Sequence, residues 1–175
     1  WDDVLPYFRK MEDSARGPNA WRGRGGPLAI TDVSADLHPL CETWLRAGAE
    51  LGLPHNDDFN GATQEGVGLY EITTRNGRRA SAATAYLDPA RGRPNLAIEI
   101  GAQVTRIGFA GTRAAGVTYV QDGAIRTARA AREVILCAGA INSPLLLQHS
   151  GIGPATHLQA HGIPVVHDHP AVGQH

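Results

Sequence analysis

The sequence is poor in lysine and has no excess of positive charge. Lys10 is the single lysine among 16 basic residues, and the formal net charge is -1. Proteins that bind nucleic acids generally need such an excess, because lysine and arginine neutralise the phosphates. The composition therefore argues against a nucleic-acid partner.

Long apolar runs are also missing. No run approaches the ~20 residues that a transmembrane helix needs, and no secretory signal is visible. We expect a cytoplasmic protein, with membrane association reserved for a longer parent chain. The sequence begins with Trp1 rather than methionine, and no residue pattern before His175 marks the end of a secondary-structure element. Both ends are expected to be cuts through a longer gene product.

Cysteine is scarce, with only Cys41 and Cys137. Both lie in apolar stretches far apart in the chain, which favours two small buried hydrophobic residues over a disulfide. The alternative of a Cys137 nucleophile lacks a neighbouring residue that could act as its base.

The first half of the chain is expected to alternate helices with turn-rich loops. Aspartate and serine caps, glycine stops and apolar spacing place these elements. The expected elements are a helix capped by Asp2 or Asp3, a strand over 27–30, a helix capped by Asp36 and ended by Gly52, a strand over 67–74, a turn at Asn76-Gly77, and a helix capped by Ser81 and ended by Asp88-Pro89.

The second half is expected to be a β-meander followed by an α/β unit. Alternating apolar residues predict four antiparallel strands over 95–130, with a two-residue turn at Asp122-Gly123. The continuous apolar run 134–136 predicts a buried parallel strand. A helix over 143–149 follows, with Asn142 or Ser143 as its cap and Pro144 at its first position. The fold class is therefore mixed α/β.

The small residues Ala138-Gly139-Ala140 connect the predicted strand to the predicted helix. A glycine turn at a helix N-terminus lets a cofactor approach the backbone, where free N–H groups and the helix dipole attract polar or anionic groups. The alternative is a tight connection without a ligand, and these few residues alone favour that alternative.

The longer string from Gly139 to Gly153 is more specific. It combines a small pair, Ser143-Pro144, large apolar residues and a terminal Ser-Gly-Ile-Gly. It resembles the second sequence motif of the glucose–methanol–choline (GMC) flavin oxidoreductases, in particular their choline-dehydrogenase-like bacterial branch. Further phrases typical of that family occur in the expected order across the whole chain, at 2–8, 56–61, 76–87 and 162–166.

The resemblance implies a partial flavin adenine dinucleotide (FAD) domain, similar to glutathione reductase, over 91–175 and part of a substrate-side cap over 1–90. It implies that the parent protein transfers a hydride to FAD from a small primary alcohol, such as choline or an aliphatic or aryl alcohol. The cofactor-binding residues that it implies are Val104, Ala138, Gly139, Ala140 and Ser143.

Two parts of the family pattern are missing. One is the strand–G-x-G-x-x-G–helix unit that takes the FAD pyrophosphate. The segment 23–28 begins like it, but Leu28 stands where the third glycine belongs. The other is the late histidine that takes the alcohol proton. We therefore name no catalytic residue and expect the isolated chain to be inactive.

Two alternatives remain open. The chain could be a non-enzymatic remnant or a subunit that needs a partner. It could also come from a nicotinamide-dependent dehydrogenase, although it lacks the phosphate loop of that class.

A metal site is not expected, although five histidines crowd the tail. Only His157 and His161 have helical i,i+4 spacing, and we interpret the tail histidines as solvated surface residues. His175 stands where relatives commonly carry asparagine and is not taken as the catalytic histidine. Asp57 and Asp58 lie among turn formers and are expected to bond their own loop rather than act as a carboxylate pair.

Overall fold

The computed structural model describes residues 1–174, which divide into two compact units. The first unit is Trp1–Ala97 and the second begins at Ile98. Both combine helices with small sheets, as the mixed α/β prediction requires. In this described part of the chain, no helix is long and apolar enough to cross a membrane. The functions assigned above to the two halves remain predictions.

The first unit is built from short elements joined by long loops. The turn Asn76-Gly77 has φ values of 52° and 70°, which suit a tight hairpin, so the predicted turn is confirmed. The predicted strand over 27–30 is confirmed as β2, which pairs in parallel with β1. The elements are α1 (Leu5–Met11), β1 (Glu12–Ser14), β2 (Leu28–Ile30), a 3₁₀ turn (Ser34–Asp36), α2 (Pro39–Glu50), β3 (Thr74–Arg75), β4 (Arg78–Arg79), a π-helical turn (Ala83–Leu87) and α3 (Asp88–Ala90).

The aspartate caps of the first two helices were predicted wrongly. Val4 is the N-cap of α1, and no side chain caps it. Asp36 ends the short 3₁₀ turn, and the imidazole of His38 caps α2 by accepting a hydrogen bond from the Leu40 N–H (3.2 Å). A histidine nitrogen can serve because a cap needs only an acceptor near the first turn. Gly52 follows α2 with φ 86°, as predicted for a helix stop.

The predicted strand over 67–74 is not a continuous strand. Val67 forms an isolated bridge with His55, whereas Ile72 forms one with Thr31. The segment thus pairs briefly with two different partners, and no ladder develops before Thr74, where β3 begins.

Asp88-Pro89 does not end the third helix. Ser81 does accept a hydrogen bond from the Thr84 N–H (3.3 Å), as a cap would. The chain then widens into a π-helical turn, in which the Asp88 N–H donates to the Ala83 carbonyl, before α3. Pro89 is tolerated because it lies in the first turn of α3, where an N–H has no helical partner.

A buried arginine organises the first unit. Arg22 is 2% exposed and contacts three carboxylates from separate segments. Its Nε and one terminal nitrogen lie 2.9 and 2.8 Å from Oε1 of Glu12, and the other terminal nitrogen lies 2.6 Å from Oδ1 of Asp58. Glu71 also pairs with Arg22, and its other oxygen lies 3.2 Å from Nε of Arg16. These contacts tie β1, the 56–61 loop and the 67–74 segment together.

Burial alone would lower the pKa of Arg22, because it disfavours the charged form. The hydrogen bond to Glu12 and the charges of Glu71 and Glu12 outweigh burial, so the pKa of Arg22 is raised. The guanidinium therefore stays charged, and its burial is offset by the ion pairs with these carboxylates. Asp58 was expected only to stabilise its own loop. It does accept from the Asn60 N–H (2.9 Å), but it also belongs to this network.

The second unit contains an antiparallel meander followed by a helix. Its three strands lie in the order β5-β6-β7, and the Asp122-Gly123 turn has φ values of 51° and 75°, which confirms that prediction. The elements are β5 (Gln103–Ala110), β6 (Arg113–Gln121), β7 (Ala124–Arg129), α4 (Gly139–His149), β8 (Ile152–Gly153), α5 (Ala155–Ala160) and β9 (His167–Asp168).

The meander has three strands, and the predicted first strand over 95–100 is wrong. That segment does not join the ladder. Instead, the side-chain amide of Gln121 donates to the Ile100 carbonyl (3.0 Å) and to Oε2 of Glu99 (3.2 Å). Gly101 then turns the chain with φ 66° before β5 begins.

The buried strand predicted over 134–136 is also wrong for the part of the chain that the structure describes. These residues form no ladder, and Ile135 is 76% exposed. A parallel strand exists only beside a hydrogen-bonded neighbour, and residues 98–174 place none there. Cys137 is accordingly exposed, although it was predicted to be buried, and Cys41 is half-buried.

We expect Arg22→Leu to lower the free energy of unfolding by ~3 kcal/mol, because it leaves the buried carboxylate of Glu71 and the half-buried ones of Glu12 and Asp58 without their counter-charge. Chemical denaturation followed by tryptophan fluorescence measures this change. Arg24→Leu is the matched control, since Arg24 is exposed only two residues away. Equal effects of the two substitutions would contradict the role assigned to Arg22.

Candidate functional site

Val104 lies on the outer strand of the meander, and its backbone faces the open edge of that strand. Pairing runs Val104 to Tyr119 but Arg106 to Thr118, so Thr105 is an extra residue in a β-bulge. In antiparallel pairs, backbone groups point alternately toward and away from the partner strand. The N–H of Ile107 points away, since it donates to Ser150. Because the bulge adds one residue between Ile107 and Val104, the N–H and carbonyl of Val104 also point away from β6.

The predicted glycine turn is the start of α4. Gly139 has φ 88°, a conformation that favours glycine, and a Cβ built there would meet no atom within 4 Å. Space beside this residue is therefore open, and the small residues Ala138, Gly139 and Ala140 are all exposed. The backbone is accessible to a ligand on this side.

Helix α4 begins at Gly139 and not at Ser143 as predicted. Pro144 consequently lies inside the helix, where its missing N–H leaves the Ala140 carbonyl without its usual helical donor. Since Ala140 is exposed, water can take that place. The prediction had placed Pro144 at the first position of the helix, where the missing N–H of proline costs no helical hydrogen bond. The structure does not follow this local preference.

Ser143 has a different role from the predicted cap. Its hydroxyl reaches back one turn and accepts a hydrogen bond from the Ala138 N–H (3.1 Å). This bond closes the turn on itself and fixes the direction in which the chain enters α4. The N–H groups at the start of an α-helix have no partner within it, so those of Gly139 and Ala140 can donate to a ligand.

These residues fit the adenosine half of FAD. Val104 presents its N–H and its carbonyl at the strand edge, which suits a heterocycle with an acceptor and a donor. The carbonyl also accepts a long hydrogen bond from the Gln103 side-chain amide (3.4 Å), and a carbonyl oxygen has a second lone pair for a ligand. The turn at Ala138–Ala140 supplies exposed small residues and helix N–H groups, which suit a ribose or phosphate. Both features belong to the second unit.

The glycines of 23–28 are explained by packing and not by a phosphate. A Cβ at Gly23 would collide with the backbone of Arg9, and one at Gly26 with the backbone of Met11. The segment precedes β2 and leads into no helix. The segment is thus a loop that packs closely against α1 and runs into β2.

The histidines of the tail form two separate pairs. The rings of His157 and His161 lie 4.7 Å apart, and those of His167 and His169 lie 5.9 Å apart. Within residues 1–174, no three or more potential metal ligands come together. His175 lies outside the described residues.

Sequence reasoning missed two features that shape the candidate site. The bulge at Thr105 decides which residues of β5 face outward, and no local sequence signal marks it. The hydroxyl of Ser150, which is fully buried, bonds the open edge of β5. A serine at the end of a helix would ordinarily be taken as a surface residue, so its burial is visible only in the fold.

The chain is similar to known flavin enzymes over nearly all its length. A family model described as GMC oxidoreductase matches residues 1–175. The oxygen-dependent choline dehydrogenase of Burkholderia thailandensis is 50% identical over 98% of this chain, which corresponds to 31% of that protein. The chain thus spans about a third of the length of the curated relatives that it matches.

Solved structures agree. Pyridoxine 4-oxidase from Mesorbium loti has a TM-score of 0.90 and 38% identity, covering 97% of this chain and 33% of its own. An FAD-dependent oxidoreductase from Chaetomium thermophilum has a TM-score of 0.87 and 34% identity, covering 98% of this chain and 32% of its own.

We expect Gly139→Val to abolish flavin binding in the complete protein that carries this chain, because a branched side chain would fill the open space beside the turn. Flavin absorbance of the purified protein is the measurement. Gly123→Val is the matched control, since Gly123 also has a positive φ of 75° and no atom within 4 Å of a Cβ. A soluble, folded Gly139→Val variant with full flavin absorbance would contradict the assignment.

Proposed function

The chain belongs to the GMC oxidoreductase family of FAD-dependent enzymes, and we propose that the protein carrying it oxidises a small primary alcohol by hydride transfer to FAD. Choline is the first candidate substrate, because the matched curated relatives at about 50% identity are choline dehydrogenases. Aliphatic and aryl alcohols are the next candidates, and a fungal aryl-alcohol oxidase is among the structural relatives.

The observation that carries this proposal is the pair of backbone features in the second unit. Val104, which is half-buried, presents polar backbone groups at the strand edge, and the turn at Gly139 is built of small, exposed residues. The adenosine half of FAD needs both kinds of feature. In this proposal, Val104 holds the adenine, whereas Ala138, Gly139, Ala140 and Ser143 line the path of the rest of that half. When bound, FAD supplies the hydride acceptor.

The first unit is proposed to form part of the substrate-side cap. Its Arg22 network draws distant segments into one body, which can hold a pocket wall in a fixed position. A cap of this kind excludes water from the reacting atoms and shapes the pocket. None of the described residues is assigned the role of taking the alcohol proton.

The proposal is tested on the complete protein. Visible flavin absorbance after purification is expected first, and anaerobic addition of the true substrate should then bleach it as the flavin is reduced. Choline, a short aliphatic alcohol and an aryl alcohol form the panel, and the corresponding acids serve as unreactive controls. A flavin-loaded protein that no alcohol reduces would contradict the reaction proposed.

The rival is a remnant or partner-dependent subunit without enzyme activity. The same absorbance scan separates it, because such a protein is expected to carry no flavin. A protein without visible bands that also fails to bind added FAD would favour this rival.

We expect residues 1–175 alone, supplied with FAD, to show no alcohol oxidase or dehydrogenase turnover. They lack the strand–G-x-G-x-x-G–helix unit for the pyrophosphate, and a missing acid–base group typically costs ~10²–10⁴-fold in rate. Reduction of an artificial electron acceptor with the alcohol panel is the measurement, with the complete protein as positive control. Turnover that disappears after heat denaturation would show that the active site is misplaced here.

A further inference from the structure

The hydroxyl of Ser150 joins the two parts of the candidate cofactor site. It accepts a hydrogen bond from the Ile107 N–H on β5 (2.8 Å) and donates one to the Leu146 carbonyl of α4 (2.6 Å). Ser150 is fully buried, and Ile107 is 5% exposed. Donor and acceptor of the hydroxyl are both used, so the group acts as a bridge between helix and strand.

This bridge is placed on the edge that the cofactor is proposed to use. Ile107 and Val104 present their backbones on the same side of β5, three residues or ~10 Å apart. Two arms thus extend from the bridge. One is the edge of β5 from Ile107 to Val104, and the other is α4, which runs ~16 Å from Ser150 back to Gly139. The bridge therefore lies at the vertex between the two groups of residues proposed to contact the adenosine half.

We propose that Ser150 is a positioning residue for FAD. Its hydroxyl sets the angle between α4 and the open edge of β5, and so sets the distance from the Val104 backbone to the Gly139 turn. A rotation of ~5° about the bridge would move the far end of the ~16 Å helix arm by more than ~1 Å. A rigid ligand that spans both arms would lose contacts at one of them. This inference rests on the function proposed above.

The physical reason for a hydroxyl here is the outer strand. An N–H that points away from the neighbouring strand and is buried needs a partner. Ser150 provides it from the last turn of α4, whereas an alanine would leave the Ile107 N–H buried without an acceptor. The strand and helix would then separate to admit water or shift to find another partner, and either response changes the angle.

The test compares Ser150→Ala with Leu158→Val in the complete protein. Leu158 is also fully buried in the second unit, but it lies in α5 and makes none of the contacts proposed for FAD. Two quantities are measured for each variant: the melting temperature without FAD, and the dissociation constant of FAD from flavin fluorescence. Both variants should melt at a lower temperature. Only Ser150→Ala should also raise the dissociation constant, by about tenfold, and Ser150→Thr should restore much of that loss because it keeps the hydroxyl.

The outcomes are distinct. A Ser150→Ala protein that melts lower but binds FAD with the unaltered dissociation constant would show that Ser150 is only structural. Equal weakening of FAD binding in Leu158→Val would show the same. If Ser150→Ala is insoluble, Ser150→Cys, which keeps a weaker acceptor of similar size, is measured in its place and the same two results overturn the proposal. If the unaltered protein binds no FAD, the function proposed above fails instead.

Discussion

Each unit of this chain depends on one buried polar group that must be given partners. Removing a charge or an N–H from water is costly unless other protein groups take over its hydrogen bonds. Arg22 meets this constraint with carboxylates from three segments, and the Ile107 N–H meets it with the Ser150 hydroxyl. Because the partners are distant in sequence, satisfying them also fixes how the segments lie.

In the second unit the same constraint bears on the proposed cofactor site. A strand edge left open by the meander can offer backbone donors and acceptors to a ligand, whereas backbone groups of that edge that are buried without partners would cost stability. Ser150 occupies the edge at Ile107, whereas the edge at Val104 stays half-exposed. The cofactor site that we propose is lined by backbone groups and would impose few demands on side chains, which agrees with the small residues 138–140 at the start of α4.

Local signals predicted local structure well. The turns at Asn76-Gly77 and Asp122-Gly123 were predicted because asparagine, aspartate and glycine tolerate positive φ, and this preference acts within a few residues. The three strands of the meander between 103 and 129 follow for the same reason, since short turns determine which strands become neighbours. Helix boundaries were less well predicted, as the start of α4 shows, because a proline preference can be overruled by the path of the surrounding chain.

The sequence by itself determined the family, the mixed α/β class and the positions of the glycine turns, because these depend on residues that are close together in the chain. Tertiary structure alone decided which groups of those elements became accessible. Because of the bulge at Thr105, the Val104 backbone points away from β6. Because Arg22 is buried, Asp58 is an ion-pair partner as well as a loop residue. Because Ser150 is buried, its hydroxyl connects α4 to β5. Each of these depends on contacts between residues far apart in sequence, and no local preference encodes such contacts.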